Sequence, residues 1–248
     1  MIRTIYQAAA GMMAQFARQL TLSTNLANID TPGYKQQDST IRDFQQLFLL
    51  RLADGQASPV GSLSAAVRWD QPRVDTRQGA LVETGRPLDL AIAGNAFFAV
   101  QTADGIEYTR DGRFQLDAQR RLVTADGYPV LGEQGPLVLP PGDVWVEPDG
   151  TVLVGNQVIG RLLLVEFPED TTFTPVAGNR YRTDAQGVPS QTAGVSQGFI
   201  EASNVDLTQT LTDMLAATRS YQLAARTLQL ADETLRLAVN SVGRVSQG

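Results

Sequence analysis

The chain has 248 residues, 43% of them hydrophobic and 19% charged, which is enough to bury a sizeable core in one large domain or two smaller ones. Its net charge of −6 argues against nucleic-acid binding through phosphate neutralisation, which needs a basic surface. Because the sequence has no cysteine and no histidine, it lacks thiolate nucleophiles, disulfides and the commonest general base and metal ligand, and we expect no enzymatic activity, cofactor, metal ion or small-molecule substrate.

The beginning of the chain does not have the features of a cleaved signal peptide. Gln7, Gln15 and Arg18 interrupt the apolar residues, and no clean run of about 7–15 apolar residues occurs. The longest later apolar run, residues 47–50, is far too short to cross a bilayer. The sequence therefore predicts neither a cleaved leader nor membrane insertion.

The first predicted element is an amphipathic helix that ends near Asn28. Asn28 tolerates the left-handed conformation that closes many helices. Pro32 cannot continue a helix and biases Thr31 towards extended geometry, and Gly33 then allows a turn. Apolar residues recur at spacings of three and four, which is the period of one helix face. That face consists of Ile2, Ile5, Ala9, Met12, Phe16 and Leu20.

Lys35 follows this helix and is the only lysine among the twenty basic residues. We interpret the scarcity of lysine as a genomic or thermal bias in composition rather than as a sign of function. From Gln36 to about Arg86 the pattern is irregular and predicts an extended connector, with a short helix around residues 41–52. Loops in it are marked by Gly55, Pro59, Gly61 and Pro72.

The middle of the chain, residues 87–199, is predicted to be all-β. Short apolar or alternating runs lie about ten residues apart, as in an antiparallel sandwich or barrel-like domain. Asp-Gly steps between such runs are a strong hairpin signal. They occur at Asp104-Gly105, Asp111-Gly112, Asp126-Gly127 and Asp149-Gly150. The fold class is then α+β, with the β domain inserted between two terminal helices.

The second helix is predicted over roughly residues 206–242, with Asn204 or Asp206 as its cap. Steps of four and three along it give a heptad-like seam of the kind that pairs helices, broken at Thr218 and Asp232. Leu223, Leu230 and Leu237 each lie two residues, about 200°, beyond a seam residue and so on nearly the opposite side. The apolar residues of the seam are Leu207, Leu211, Met214, Tyr221, Ala225, Leu228, Leu235, Val239 and Val242.

A helix that is apolar on two sides must be covered on both sides. One N-terminal helix can cover only one of them, so the second side predicts contact with another molecule. A helix buried in the core of its own domain would show the same pattern, and the sequence leaves both possibilities open.

The sequence contains the residue pattern of a hydrolase motif but lacks the other features that the motif requires. Gly194–Gly198 matches G-x-S-x-G around Ser196, but that chemistry needs a base beside the serine, normally histidine, and a strand–turn–helix context. Glu166, Glu169 and Asp170 could in principle serve a glycosidase, although solvated surface charges are the ordinary explanation. A secreted β-rich hydrolase or carbohydrate-binding protein is thus the alternative from another functional class.

Three stretches carry a family resemblance. Asn25-Leu26-Ala27-Asn28, followed by Thr31-Pro32-Gly33-Tyr34-Lys35, resembles the N-terminal signature of the bacterial flagellar rod and hook proteins. Residues 88–117 and 197–207 resemble two further parts of that family. Taken in order, the three stretches span nearly the whole chain, and the likeness is weakest over residues 36–84.

The resemblance implies a structural axial subunit of the flagellar basal body that transmits torque from motor to hook. Such a subunit is exported through the flagellar type III apparatus without a cleaved leader. It polymerises helically with itself and contacts other rod and hook proteins. Residues 1–35 with 200–248 would form a coiled-coil core domain, 36–86 the connector and 87–199 an outer β domain.

Within the family, the length suits a rod subunit with one β domain. The M-I-R start and the Phe97-Phe98 pair are similar to the distal rod type, which we favour. The short connector and the run G-Y-P-V-L-G-E-Q-G-P are similar to the proximal type. A soluble cap protein that uses the helices in a closed oligomer is a further alternative.

The resemblance also assigns roles to residues at the helix end and along both helices. The seam on the second helix would pair with the chain's own first helix, and the Leu223 side would meet neighbouring subunits, with the reverse assignment left open. The end of the first helix would act as an assembly elbow where the helical core joins the connector. The elbow residues are Asn25, Leu26, Asn28, Thr31, Pro32, Gly33 and Tyr34.

Overall fold

The computed structural model describes residues 2–39, 41–53, 56–69, 72–190 and 192–245, with side chains described for 5–39, 72–190 and 192–237. The chain divides into two compact units. Unit 1 comprises Met1–Leu26, Asp38–Pro72 and Leu207–Gly248. Unit 2 comprises Ala27–Gln37 and Arg73–Asp206. The domain division expected from the sequence stays a prediction.

Unit 1 contains both helices, α1 (Ile2–Ala27) and α2 (Leu207–Val245), which confirms a helix at each end of the chain. Two side-chain contacts join them. Arg18 Nη2 lies 3.3 Å from Asp213 Oδ1, and Gln19 Nε2 donates a hydrogen bond of 3.2 Å to Thr218 Oγ1. Thr218, one of the two breaks in the apolar seam, is thus the acceptor of a bond between the helices. Neither helix, over its described residues, is long and apolar enough to cross a membrane.

Unit 1 also contains an antiparallel hairpin of strands β2 (Ile41–Ala53) and β3 (Gln56–Trp69), which follow β1 (Gln37–Asp38). The short helix predicted around residues 41–52 is therefore wrong. A short apolar run does not distinguish helix from strand, and the Asp54-Gly55 step between the two runs was the decisive hairpin signal.

Two residues that were predicted to mark loops lie inside β3. Pro59 pairs with Leu50 and Gly61 with Leu49, and the register of the two strands shifts between these pairs. Proline is tolerated within a sheet at such a bulge, because one residue there is left out of the ladder. Pro72 lies outside any strand, as predicted.

Unit 2 is built from short strands. They are β4 (Arg73–Val74), β5 (Leu81–Glu83), β6 (Leu90–Ala93), β7 (Phe97–Thr102), β8 (Gly105–Thr109), β9 (Gln115–Leu116), β10 (Leu122–Val123), β11 (Leu131–Gly132), β12 (Gly135–Pro136), β13 (Val144–Val146), β14 (Thr151–Val154), β15 (Gln157–Arg161), β16 (Leu164–Glu166), β17 (Thr174–Val176), β18 (Arg180–Arg182), β19 (Val188–Pro189), β20 (Gly194–Gln197) and β21 (Phe199–Glu201).

These strands form several antiparallel sheets, which confirms the β-rich middle of an α+β chain. The largest has six strands in the order β17-β18-β8-β7-β16-β19, and another has three in the order β13-β14-β15. Smaller pairs are β9 with β10, β11 with β12, β6 with β20 and β5 with β21. The last two pairs join the start of unit 2 to its end.

The core of unit 2 lies on both sides of β7. Phe97 and Phe98 are consecutive, so their side chains point to opposite faces of the strand. Phe98 packs edge-on against Phe114 at 5.0 Å between ring centroids, within the main aliphatic cluster. Phe97 packs against Phe173 and Tyr181 in a smaller aromatic cluster. The Phe97-Phe98 pair therefore connects two cores.

Three of the four predicted Asp-Gly turns connect antiparallel segments, and the fourth does not. Those at 104–105, 126–127 and 149–150 lie where adjacent antiparallel segments connect, as predicted, and all three glycines have positive φ. The hairpin prediction is wrong for Asp111-Gly112, because β8 and β9 belong to different sheets. Gly112 packs directly on the backbone of Leu90, where an added Cβ would overlap the Leu90 carbonyl.

Candidate assembly site

The chain leaves α1 through two consecutive turns within the predicted elbow. The Thr31 N–H donates to the Asn28 carbonyl and the Tyr34 N–H donates to the Thr31 carbonyl, each at 3.2 Å. The Thr31 hydroxyl also donates to Asn28 Oδ1 at 3.2 Å. Asn28 thus follows the helix end as predicted, but the left-handed conformation predicted for it is wrong. In the described part of the chain, only Arg120 and Asn179 among non-glycine residues have positive φ.

Gly33 belongs to unit 2 and packs closely against other segments of that unit. Its φ is +68°, its N–H donates to the Glu201 carbonyl at 2.7 Å, and it lies against the backbone of Arg110 and Asp111. A Cβ at this position would overlap those backbone atoms, so only glycine fits. Next to it, Asn179 Nδ2 donates to the Pro32 carbonyl at 2.7 Å.

Three buried charged side chains meet beside the elbow, and we call Lys35, Arg110 and Glu201 the ionic clamp. Lys35 Nζ lies 2.6 Å from Glu201 Oε1, and Arg110 Nη1 lies 3.0 Å from Glu201 Oε2. None of the three side chains is more than 1% exposed. One carboxylate therefore holds two cations, one on each oxygen.

Backbone groups add further hydrogen bonds to the clamp, and Arg110 Nε is its one buried nitrogen that no group among the described residues accepts from. Lys35 Nζ donates to the Arg77 carbonyl at 2.6 Å, and Arg110 Nη2 donates to the Gly94 carbonyl at 2.7 Å. The Gly79 N–H donates to Glu201 Oε1 at 2.8 Å. Burial lowers the pKa of Lys35, which the charge of Glu201 partly offsets, and burial likewise lowers the pKa of Arg110. Such buried charges are stable only while every partner is present.

Asn204 ties together three segments of unit 2. Its Oδ1 accepts a hydrogen bond of 2.7 Å from the Gln36 N–H, and its Nδ2 donates to the carbonyls of Asp75 and Arg77 at 3.0 Å. The Asn204 side chain, which the sequence offered as a helix cap, therefore makes hydrogen bonds to other segments of unit 2. Asp206 is the residue immediately before α2. The chain that follows α1 and the chain that precedes α2 are thus held within hydrogen-bonding distance.

The structure places the predicted assembly residues in three groups. Asn25, Gly33 and Tyr34 of the elbow are buried, and Leu26, Asn28, Thr31 and Pro32 are partly buried. Along the helices the half-buried residues are Ile5, Ala9, Met12, Met214, Tyr221, Leu228 and Leu235. The exposed ones are Phe16, Leu20, Leu207, Leu211, Leu223, Leu230 and Leu237. The side chains of Ile2, Val239 and Val242 lie outside the described residues.

Sequence reasoning did not identify the clamp, although its signal was present. Each of the three stretches that carry the family resemblance contributes one clamp residue. Lys35 ends the first, Arg110 lies within residues 88–117 and Glu201 lies within 197–207. The interpretation of the single lysine as a compositional bias missed its place in this buried cluster.

The hydrolase candidates are not arranged for catalysis. Ser196 lies inside β20, paired with Ala91, and is followed by another strand rather than a helix, so the nucleophile-elbow pattern is coincidental. Glu166 Oε1 accepts hydrogen bonds from Ser190 Oγ at 2.5 Å and Thr192 Oγ1 at 3.2 Å. Glu169 and Asp170 are exposed. No group of three or more acidic side chains suited to a metal ion occurs among the residues described.

Two buried tyrosines beside the clamp make unit 2 sensitive to alkaline pH. Burial raises the pKa of Tyr34 to about 12, against a hydrogen bond with Gln37 that lowers it, and burial also raises the pKa of Tyr181, which accepts the Lys35 N–H at 2.9 Å. The folded state therefore keeps phenol protons that the unfolded chain loses above pH 10, so stability falls as pH rises from about 10 to 12.

The lowered pKa of Lys35 acts in the opposite direction but only below its ordinary value of 10.5, so the loss between pH 10.5 and 12 belongs to the tyrosines. We expect urea midpoints to fall over this interval, together with the 295 nm absorbance change of ionising tyrosine. Tyr34→Phe should reduce the pH dependence. An unchanged slope in that variant would contradict the assignment to Tyr34.

Comparison with known proteins agrees with these three stretches. A family model described as "Flagella basal body rod protein" matches residues 5–35. One described as "Flagellar hook protein FlgE/F/G D1 domain" matches residues 91–154. A third, "Flagellar basal body rod FlgEFG protein C-terminal", matches residues 196–241. Each matched region contains one clamp residue: Lys35 in the first, Arg110 in the second and Glu201 in the third.

Full-length relatives give the same result. The flagellar basal-body rod protein FlgG of Bacillus subtilis is 32% identical over 243 residues, which cover 90% of this chain and 92% of the relative. FlgF of Escherichia coli is 31% identical over 240 residues, covering 90% and 91%, and FlgF of Caulobacter vibrioides is 34% identical over 242 residues, covering 93% and 96%. The chain belongs to the flagellar basal-body rod protein family, whose members are structural proteins of the bacterial flagellum and not enzymes.

Proposed function

We propose that the chain is a distal-rod subunit that polymerises helically and transmits torque from motor to hook. The observation that carries this proposal is the apolar side of α2 that unit 1 leaves uncovered. Leu223, Leu230 and Leu237 are 67%, 57% and 61% exposed, whereas Tyr221 and Leu228 on the opposite side are half-buried. A continuous apolar stripe left in solvent marks a contact surface.

A second exposed stripe lies on α1. Tyr6, Met13 and Leu20 are spaced by seven residues and are all exposed, and Phe16 is exposed beside them. Seven residues bring a helix back to nearly the same side, so these side chains form one row. One row on each helix gives a subunit two different apolar surfaces. Contact between unlike surfaces of successive copies does not close on itself and builds a helical polymer.

Contacts inside each unit support a finer arrangement as part of this proposal. The Arg18–Asp213 and Gln19–Thr218 contacts support coiled-coil pairing of α1 with the half-buried seam of α2. The aliphatic cluster enclosed by the sheets of unit 2 supports a sandwich-like β domain. We keep residues 1–35 with 200–248, 36–86 and 87–199 as the proposed domain division, and the elbow as the proposed assembly joint.

Family membership supports the proposed partners and location. We propose that the subunit binds copies of itself and other rod or hook proteins in the basal body, after passage through the flagellar type III export apparatus. A proximal position is the alternative, since relatives named FlgF, the proximal type, match as well as those named FlgG, the distal type.

Charged substitutions in the exposed leucine stripe of α2 test the proposal. Leu223→Glu with Leu230→Glu should abolish swimming in soft agar and remove an epitope-tagged chain from isolated basal bodies, because two carboxylates per contact would be buried without partners. Gln222→Glu with Gln229→Glu adds the same two charges, at the same spacing, to another exposed part of α2 and should leave both readouts unchanged. Circular dichroism should show that all variants keep their helices.

Normal motility of the double variant would exclude the stripe as a contact surface.

The same epitope tag can show where along the rod the subunit lies. Gold-labelled antibody should bind next to the hook if the subunit is distal, and label at the membrane-proximal end would replace the distal assignment with the proximal one. A discrete small oligomer of the purified wild-type chain in light scattering would favour the closed cap protein.

A further inference from the structure

An exposed apolar row lies on the outer face of the β13-β14-β15 sheet. Trp145 pairs directly with Leu153, and Leu153 with Val158, so the three side chains lie side by side on one face. Their neighbours along the strands, Val146 and Val152, are buried in the aliphatic core on the other face. Trp145 is 64% and Val158 61% exposed, and Leu153 between them is half-buried, so the two ends of the row are open to solvent.

Two carboxylates border this row. Cross-strand hydrogen bonds continue past both ends of β13, from the Gly155 N–H to the Asp143 carbonyl and from the Glu147 N–H to the Thr151 carbonyl. The alternation of strand side chains therefore extends to Asp143 and Glu147, which lie on the same face as Trp145. Both are exposed. The surface combines an aromatic ring with negative charge, which is what an arginine beside apolar side chains binds best.

Unit 2 exposes a surface of that complementary kind around β5. β5 exposes Val82, at 46%, on one face and Leu81 with Glu83 on the other, because successive strand side chains point to opposite faces. Arg86 follows at 68% side-chain exposure, and we call Val82 with Arg86 the β5 surface. The only ion pair recorded for Arg86 among the described residues is a long one, 3.9 Å from its Nε to Asp89 Oδ1. The Arg86 guanidinium is therefore available to a second molecule.

The size of the tryptophan surface indicates what kind of partner it binds. Three side chains of this size offer roughly 300–400 Å², whereas a stable interface needs about 800 Å² per partner. The surface is thus too small to hold a free partner, but sufficient for one that is already held nearby at high effective concentration. Neighbouring copies in a helical polymer meet this condition.

We infer that Trp145, Leu153 and Val158 of one copy bind the β5 surface of a neighbouring copy, with Arg86 over the Trp145 ring and close to Glu147. This contact rests on the proposed polymerisation and adds a β-unit contact to the helical ones. The contact is heterologous, because the surface formed by Trp145, Leu153 and Val158 on each copy faces the β5 surface of the next copy.

Cross-linking between two single-cysteine chains tests the contact, since the native chain has no cysteine. Cells make one tagged chain with Val158→Cys and another with Val82→Cys, and isolated basal bodies are treated with a short bis-maleimide. We expect a covalent dimer joined between positions 158 and 82. Val188→Cys is the matched control, because Val188 is 65% exposed and lies on a different sheet. Its cross-linking yield with Val82→Cys should be at least about fivefold lower than that of the 158–82 pair.

Two substitutions show whether the named side chains form the contact. Trp145→Ala should lower the 158–82 yield about tenfold, as expected for a central aromatic residue. Glu147→Arg in the Val158→Cys chain should lower it up to about fivefold, and Arg86→Glu in the Val82→Cys chain should restore it.

Equal yields for the 158–82 and 188–82 pairs, in basal bodies that contain both chains, would overturn the contact while leaving the proposed function intact. Failure of the charge exchange to restore the yield would overturn the Arg86–Glu147 assignment. Absence of both chains from basal bodies in motile cells would overturn the proposed function, and the contact with it.

Discussion

Replacing Glu201 with alanine is expected to lower the free energy of unfolding of unit 2 by about 3–5 kcal/mol, the usual cost of leaving a buried ion without its partner. Glu201 is the carboxylate of the ionic clamp, and its removal leaves the Lys35 ammonium and the Arg110 guanidinium buried and unpaired. The Gly79 N–H loses its acceptor as well. Urea unfolding followed by circular dichroism measures the loss.

Two further variants separate the clamp from general effects of removing a charge. Glu133→Ala removes an exposed carboxylate 3.6 Å from Arg161 and should change stability by less than about 1 kcal/mol. The triple variant Lys35→Met, Arg110→Met, Glu201→Leu removes all three charges and should be more stable than Glu201→Ala, because no ion is left unpaired. A Glu201→Ala protein as stable as Glu133→Ala would disprove the role of the clamp.

Gly33→Ala is the second substitution with a large expected effect, and Gly85→Ala is its matched control. The two glycines have almost the same backbone conformation, with φ of +68° and +67°. A Cβ at Gly33 would overlap the backbone of Arg110 and Asp111, whereas one at Gly85 has nothing within 4 Å. The pair therefore separates the cost of the left-handed conformation from the cost of the close approach.

We expect Gly85→Ala to lose about 1–2 kcal/mol, the cost of a Cβ in the left-handed region. Gly33→Ala should lose about 3 kcal/mol or more, since the overlap involves backbone atoms that cannot move by changing a rotamer. Thermal or urea unfolding of both variants gives the comparison. Equal losses would mean that the elbow can move away from residues 110 and 111 at little cost.

The elements predicted best from the sequence are those with local causes. The spacing of apolar residues along α1 and α2 and the glycine at position 33 predict two helices and a turn, because periodicity and φ preference belong to neighbouring residues. The hairpin of β2 and β3 was missed although its own Asp-Gly step was present. The alternating signal of its apolar run is too short to exclude a helix.

The clamp could not be derived from local pattern at all. Arg110 and Glu201 are 91 positions apart in the chain, and Lys35 and Glu201 are 166 apart. Charge signs alone do not say which of nineteen arginines and one lysine approaches a given carboxylate. What decides the pairing is the way β5 pairs with β21 and places Glu201 against the elbow. Such pairings depend on the whole fold rather than on neighbouring residues.

The position of the only lysine has a practical consequence for handling this protein. Its Nζ is sealed between Glu201 and the Arg77 carbonyl, so the folded subunit presents arginine side chains but no lysine amine to the solvent. Aldehyde fixatives, succinimidyl dyes and lysine-specific proteases all act on accessible lysine. A polymer of this subunit should therefore resist such reagents at its side chains, and lysine modification would report the opening of the elbow rather than the exterior of the rod.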